Sequence, residues 1–374
     1  MENQAKTGKK ILDILERHSL IFRYGFAVIM SLLVGCLLFI QQKENPFYAI
    51  SVIFQGGLAN KINIGTSIRW ATPCMFAGAA VIIAFKSGVR NMGIEGQIYM
   101  GALAAGLVGA NLSLPRLPHI ILCLLAAGIA GTCYALLPAL LRLYFNVDEL
   151  VVTIMMNFIA RYLTYYYVYW ILMKGTLSAS GSAAVKTENI PKSAQLSTLV
   201  QGSTASTAFI YALLLLILLY MIYKYTIIGY EAVQLGQNME FSRAGGVDVI
   251  KRFLQIFLLS GFVAGLCGGM EVCGSYHYFL ANFSNNIGWE AIMVANAAGY
   301  NPITLGIISC IWGVMKTGSL HLERMTSLSR YTVNIIQMLF IIFVAVDYIR
   351  LYKSFLQKRK IQQESEEKRR KGLV

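Results

Sequence analysis

The sequence predicts an all-α, polytopic membrane helix bundle, with about ten transmembrane helices in two five-helix halves. Three observations lead there. Charged residues are only 13% of the 374 while hydrophobic residues are 56%, a balance outside the range of ordinary soluble domains. Several apolar runs reach the ~20 residues that a bilayer core requires. Cations crowd the two ends of the chain, as they do where ends are held on the cytoplasmic side.

Candidate spans fall at 22–40, 67–87, 94–111, 118–144, 150–173, 208–227, 253–273, 289–300, 303–320 and 333–352. The transmembrane domain is thus 22–352, between a cytoplasmic N-terminal segment 1–21 and a cytoplasmic tail 353–374. The first apolar run, Phe26 to Ile40, lacks a small-x-small cleavage site and reads as a retained anchor. Lys6, Lys9, Lys10, Arg17 and Arg23 precede it, and Lys358, Arg359, Lys360 and the 368–371 cluster follow the last span. Two cytoplasmic ends require an even number of crossings, and that parity counts the short Ala291 to Tyr300 stretch as a span. Counting inward makes 174–207 an extracellular Ser/Thr/Ala-rich loop dividing five spans from five. The same count places 41–66 outside, with a short interfacial helix over Pro46 to Leu58, and 228–252 inside, with Arg243, Lys251 and Arg252. Tyr165, Tyr166, Tyr167, Tyr169 and Trp170 then form an aromatic belt at the outer end of the fifth span.

The net charge of +14 does not indicate nucleic acid, because its cations sit where the anionic inner leaflet would hold them. The tail mixes Glu364, Glu366 and Glu367 with its cations and reads as a solvated helix. The seven cysteines lie in or beside apolar segments without a Cys-x-x-Cys pair, and the four histidines have no metal-ligand spacing. They read as buried small hydrophobes and isolated side chains. No Gly-x-x-x-x-Gly-Lys-Ser/Thr loop is present, so any ATP would be bound by another subunit.

One polar interruption stands out. Gly88-Val89-Arg90-Asn91-Met92-Gly93-Ile94-Glu95-Gly96-Gln97 joins two apolar segments. Irregular backbone at membrane depth survives only against protein or a water-filled cavity. Intramembrane ionisable residues are functional by default. Asn91, Glu95 and Gln97 therefore either brace the broken backbone or line a passage. A plain alternative puts Glu95 at an interface, near a helix N-terminus whose dipole favours it.

The fifth span opens Asn146-Val147-Asp148-Glu149-Leu150, with carboxylates suited to a first helical turn, and carries Asn157 and Arg161 one turn apart. Arg161 reads as one half of an ion pair with another span, through Glu95 or Glu271 for example, with a substrate role as the minority reading. Farther on, Gly229 to Val247 mixes small residues with Glu231, Gln234, Asn238 and Arg243, and suggests short helices broken at Gly236 and Gly245. Gly261, Gly265, Gly268 and Gly269 follow at helical spacing and would let another helix approach closely. Gly288-Trp289-Glu290 and Gly299-Tyr300-Asn301-Pro302 bracket a second short segment. Paired interruptions of this kind point to a midplane site.

These stretches carry a family resemblance over nearly all of 20–352. Asn91 to Gln97 resembles the Asn-x-Gly-x-Glu-Gly-Gln segment of ABC importer permeases of the nucleoside and simple-sugar type. Val147 to Asn157 resembles a second stretch of that family, in which a carboxylate precedes Thr-x-Met-x-Asn and Asn157 holds the asparagine position. Gly229 to Val247 resembles the loop through which such permeases engage their ATPases, with Gly236, Asn238, Ala244 and Gly245 at matching places. Met239 departs from the proline common after that asparagine. The segment bracketed by Gly288 and Pro302 resembles the family's second-half break.

The resemblance implies a permease subunit of an ATP-driven importer in a bacterial plasma membrane, most like the nucleoside branch, with a simple-sugar permease as the alternative. Its implied partners are a second homologous permease subunit, an ABC ATPase subunit that binds ATP, and a substrate-binding protein or lipoprotein. No cofactor is expected in this chain, and no enzymatic activity. The substrate passage would involve Asn91, Glu95, Gln97 and Asn157. The ATPase coupling loop would involve Glu231, Gly236, Asn238, Arg243, Ala244 and Gly245. The competing classes are an ion-coupled secondary transporter using Glu95, Arg161, Glu271 or Lys316, and a membrane enzyme. The latter would want clustered carboxylates or histidines at one interface, which the sequence lacks.

Overall fold

The computed structural model describes residues 45–172 and 184–326 continuously, and scattered positions from 29 to 41 and from 335 to 343. The N-terminal segment and the tail lie outside the described residues, as do most of the expected first and last spans and the start of the 174–207 loop. Two compact units are present, Met1–Ile50 with Leu328–Val374 and Ser51–Ser327. In the first, the described residues between 29 and 41 are helical and Gly35 lies against Ile336.

The helices in order are α1 (Pro46–Leu58), α2 (Lys61–Phe85), α3 (Ile94–Asn111), α4 (Arg116–Phe145), α5 (Glu149–Tyr166), α6 (Ala208–Tyr225), α7 (Ile227–Gln237), α8 (Met239–Ala244), α9 (Val249–Glu271), α10 (Ile287–Ala297) and α11 (Pro302–Met325). Wider π-type turns continue α5 through Tyr167–Leu172 and α9 through Val272–Tyr276. Among the described residues, α2, α4, α6, continued α9 and α11 are long and apolar enough to cross a bilayer. The protein is a helical membrane bundle. Leu117, Ile121, Leu125 and Ile129 on α4 are exposed, as are Leu214, Ile217, Leu218 and Met221 on α6. Such surfaces suit lipid, whose tails are as apolar as leucine.

Helix starts follow local chemistry. The side chain of Asn60 accepts from Asn63 N–H, Asp148 from Leu150, Thr226 from Gly229, Asp248 from Lys251 and Asn301 from Ile303, each satisfying a donor that the first helical turn leaves unpaired. At the core, α9 packs on α2, α3 and α4. The spacing of small residues expected to permit close approach does so. A Cβ added to Gly265 would stand 2.3 Å from the Ala127 carbonyl oxygen, and one on Gly131 2.3 Å from that of Gly261. A side chain at either place would separate the helices.

Residues 184–207, expected as a loop, pack closely over one end of the bundle. Thr187 N–H donates to Phe279 O at 2.9 Å, Ile190 N–H to His277 O at 2.8 Å and Leu196 N–H to Cys273 O at 2.9 Å. The Arg116 guanidinium reaches Ser197 Oγ at 2.6 Å. Backbone pairing with the chain after α9 is a long-range contact that composition does not reveal.

The expected span at 289–300 is the 11-residue α10. At 1.5 Å per residue it is about 16 Å long, roughly half a bilayer core. Residues 277–286 lead into it from the Ile190–His277 backbone bond to Gly288 beside Glu95.

Candidate functional site

The polar break is a closed hydrogen-bond knot. Asn91 is fully enclosed. Its Nδ2 donates to Gln97 Oε1 at 3.1 Å and to Ser260 Oγ at 3.0 Å, and its Oδ1 accepts from Gln97 Nε2 at 3.1 Å and Gly93 N–H at 3.0 Å. Ser260 in turn donates to the Ala80 carbonyl at 2.9 Å. The two amides thus join the break to α9 and α2. Buried polar groups are tolerated when satisfied in this way.

Helix α5 supports the break from the other side. Asn157 Oδ1 accepts from Gly96 N–H and Asn157 Nδ2 donates to Met92 O, both at 2.8 Å. One turn earlier, Thr153 Oγ1 accepts from Met92 N–H at 3.2 Å. The α3 N-terminus has no side-chain cap of its own from Gly93, and Asn157 fills that role from a neighbouring helix.

Glu95 lies in the first turn of α3 and is largely buried. Its Oε2 accepts from Gly288 N–H at 2.6 Å, at the start of α10. Two helix N-termini, those of α3 and the short α10, therefore meet at one carboxylate, which their dipoles favour. Residues on both flanks of α10 hold left-handed backbone, Asn285 and Asn286 before it and Gly299 and Tyr300 after it.

Beside Glu95 opens a cavity of about 210 Å³, lined also by Tyr99, Asn157, Phe158, Arg161, Asn282, Asn285, Asn286 and Trp289. Of the four expected passage residues, Glu95 and Asn157 line it, whereas Asn91 and Gln97 are shut inside the knot. Arg161 does not make the interhelical ion pair expected through Glu95 or Glu271. Its Nε donates to Asn282 Oδ1 at 2.6 Å, because Glu271 is held by Arg69 at 2.9 Å and Glu95 by α10. The Asn282–Asn286 turn and Trp289 were missed as lining residues. Three asparagines within five positions of an apolar segment were the available signal.

A second buried polar cluster spans α2, α9, α10 and α11. Beyond the Arg69–Glu271 pair, Lys316 pairs with Glu290, and Trp312 Nε1 donates to Glu290 at 3.1 Å. The Arg69 and Lys316 cations lie 4.0 Å and 5.1 Å from the Trp70 ring.

The 228–252 loop forms a helix pair. Its break falls at Asn238, not at Gly236 as expected. Asn238 has extended backbone, and its Oδ1 accepts from Phe241 N–H at 3.0 Å, so asparagine capping overrides glycine flexibility. Met239 becomes the first residue of α8, where proline is also well tolerated. Glu231 pairs inward with Arg252 of α9. Gly236 faces the turn after α2, where an added Cβ would stand 2.4 Å from Lys86 O. The Lys86 Nζ sits 4.5 Å from the Tyr223 ring. Arg243 approaches Glu240 at 3.7 Å on the exposed surface. Ala244 ends α8 and Gly245 N–H donates to Phe241 O at 2.9 Å. Tyr230, Met239 and Phe241 present exposed apolar side chains there; they were missed as surface-forming residues.

Comparison with known proteins places this geometry. The family described as branched-chain amino acid transport system / permease component matches residues 63–345. The chain is 30% identical to the guanosine ABC transporter permease protein NupP of Bacillus subtilis, over 89% of this chain and 95% of that one. It is 29% identical to the glucose ABC transporter permease protein TsgB13 of Haloferax volcanii, over 87% of each. It is 23% identical to the nucleoside ABC transporter permease protein NupB of Lactococcus lactis subsp. cremoris, over 92% of this chain and 96% of that one. No solved structure matches. A match across most of the described bundle, including both interruptions, settles the kinship: the chain belongs to the branched-chain amino acid transport system permease family.

Proposed function

We propose that this chain is the permease subunit of an ATP-driven importer that carries a nucleoside across a bacterial plasma membrane. Ten crossings in two five-helix halves, with both termini cytoplasmic, set α7 and α8 on the cytoplasmic side and 184–207 outside. A separate ATPase subunit docks on α7 and α8, and a binding protein or lipoprotein delivers the solute to the outer face.

One observation carries the reading. The cavity beside Glu95 opens through Phe158, Arg161, Asn282, Asn285 and Asn286, all exposed. A guanidinium and three amides at the side of a membrane bundle are costly against lipid. A second permease subunit covers this face, and the passage runs between the two. Within it, Trp289 and Phe158 offer rings for stacking a base, while the amides and Arg161 offer donors and acceptors for its edges and for ribose hydroxyls. A cavity lined by rings and a few placed polar groups suits a small neutral solute. Asn91, Gln97 and Asn157 hold the break, and Glu95 and Asn157 face the solute.

Reconstitution tests this. The permease pair, ATPase and binding protein in proteoliposomes should take up labelled guanosine only with ATP, and glucose poorly. Glucose uptake exceeding guanosine uptake would assign the simple-sugar alternative. Uptake without ATP, driven by an ion gradient, would make the chain a secondary transporter and overturn the proposal.

A further inference from the structure

The contact between α7 and the end of α2 has a consequence that docking alone does not require. An added Cβ on Gly236 would meet Lys86 O at 2.4 Å, and Gly88 N and the Ser87 carbonyl carbon at 2.9 Å. One on Gly88 would meet Gly236 Cα at 3.0 Å. The two glycines therefore touch backbone to backbone, without intervening side chains that rotate or compress. Gly88 also holds a φ of +75, which an L side chain rarely adopts. From Gly88 the chain needs only three residues to reach Asn91 and seven to reach Glu95.

The α7 helix is fixed like a lever. Leu235 and Ala232 are buried, Glu231 is tied to Arg252 at the base of α9, and Tyr230 points outward. Force applied to the exposed side of α7 and α8 has a stiff route into residues 86–88. Val89 continues that route: it is fully buried, and its N–H is bonded to Ala84 O at 3.0 Å. Tightly packed contacts of this kind transmit displacement instead of absorbing it.

We propose that the Gly236–Gly88 backbone contact is where motion of the α7–α8 pair passes to the polar break, so that the ATPase acts directly on the segment bearing Asn91 and Glu95. Gly236 and Gly88 are then positioning residues for transport. This rests on α7 and α8 being the ATPase docking surface. The moved parts are the knot, the Glu95–Gly288 contact and, through it, the N-terminus of α10.

The test uses the assembled transporter, with uptake measured in the complex without an introduced cysteine and labelling in the same complex carrying Asn286→Cys at the cavity. Its thiol labelling is followed with and without ATP plus vanadate, against the same complex lacking that cysteine. Gly236→Ala wedges the contact and Leu235→Ala loosens it. Both are expected to retain the ATPase subunit and hydrolysis while losing uptake and the nucleotide-dependent change in labelling. Phe241→Glu, on the exposed face, should instead release the ATPase subunit. Wild-type uptake and a wild-type labelling change in Gly236→Ala would overturn the proposal, as would loss of the ATPase subunit from it. If Gly236→Ala does not accumulate, Leu235→Ala decides by the same criteria. A complex that keeps its ATPase subunit and uptake in Phe241→Glu would overturn the docking reading itself.

Discussion

Glu95 Oε2 accepts the backbone N–H of Gly288 at 2.6 Å, and so joins the start of α3 to the start of α10 across 193 positions of sequence. A carboxylate at paired helix N-termini is held by charge and by hydrogen bonding together. Glu95→Gln keeps an acceptor for Gly288 but removes the charge. Glu95→Ala leaves that N–H without its partner, at about 1–3 kcal/mol. Uptake should fall in the order wild type, Gln, Ala, with membrane insertion and subunit assembly retained. Full uptake in Glu95→Ala would show that the carboxylate neither braces nor lines the passage.

Asn157 makes a separable contribution. Asn157→Ala unpairs both Gly96 N–H and Met92 O, and should lower stability by about 2–4 kcal/mol if each buried group costs ~1–2. Asn157→Asp keeps the acceptor but turns a second oxygen toward Met92 O. Both should lower the unfolding temperature in detergent and reduce uptake. An unchanged transition in Asn157→Ala would refute the bracing geometry.

The buried Arg69–Glu271 pair predicts a non-additive pattern. Glu271→Leu alone strands the guanidinium and should destabilise by about 3–5 kcal/mol. The double change Arg69→Met with Glu271→Leu should recover most of that. Thermal unfolding of the purified single and double variants checks it, and an additive loss would count against the pair.

Arg161 and Asn282 should be coupled at the cavity mouth. Residues in direct contact show interaction energies of about 0.5–3 kcal/mol in double-mutant cycles. Arg161→Ala and Asn282→Ala should each weaken solute uptake, and together by less than the product of the two effects. Independent effects would place Arg161 outside the passage.

Orientation is checked by labelling. In intact cells a membrane-impermeant thiol reagent should reach a cysteine introduced at Ser197, while one at Asn238 stays protected. Labelling of Asn238 from outside would invert the proposed topology and remove the docking surface with it.

How much of this was legible in the sequence depends on range. The bounds of α3 were readable because its apolar run is bracketed by the Gly88–Gln97 break and by Asn111 with Ser113 and Pro115 after it. Asn91, Gln97 and Asn157 stood out because amides in an apolar context must be satisfied. Partners were less accessible. Arg161 was assigned a carboxylate because charge pairing is the generic expectation, yet the bundle had already committed both candidate carboxylates elsewhere. Gly236 read as a flexible point because glycine is ambiguous. Only the fold reveals that its missing side chain serves a close approach to Lys86 and Gly88. The stretch 184–207 read as loop because the segment it pairs with, residues 273–281, contributes backbone atoms, which carry no sequence signature.

The seam between α4 and α9 also sets a timetable for biogenesis. Gly131 and Ala127 are covered by Gly261 and Gly265, but α9 begins 104 residues after α4 ends, from Phe145 to Val249. At about 5–20 residues per second, the ribosome delivers the second helix roughly 5–20 s after the first. Through that interval the groove on α4 has no native occupant, and the nascent chain is open to mispairing with other small-residue helices or to quality-control proteases. A chain truncated before Val249 should therefore be degraded quickly even though α2, α4 and α6 are each long and apolar enough to insert.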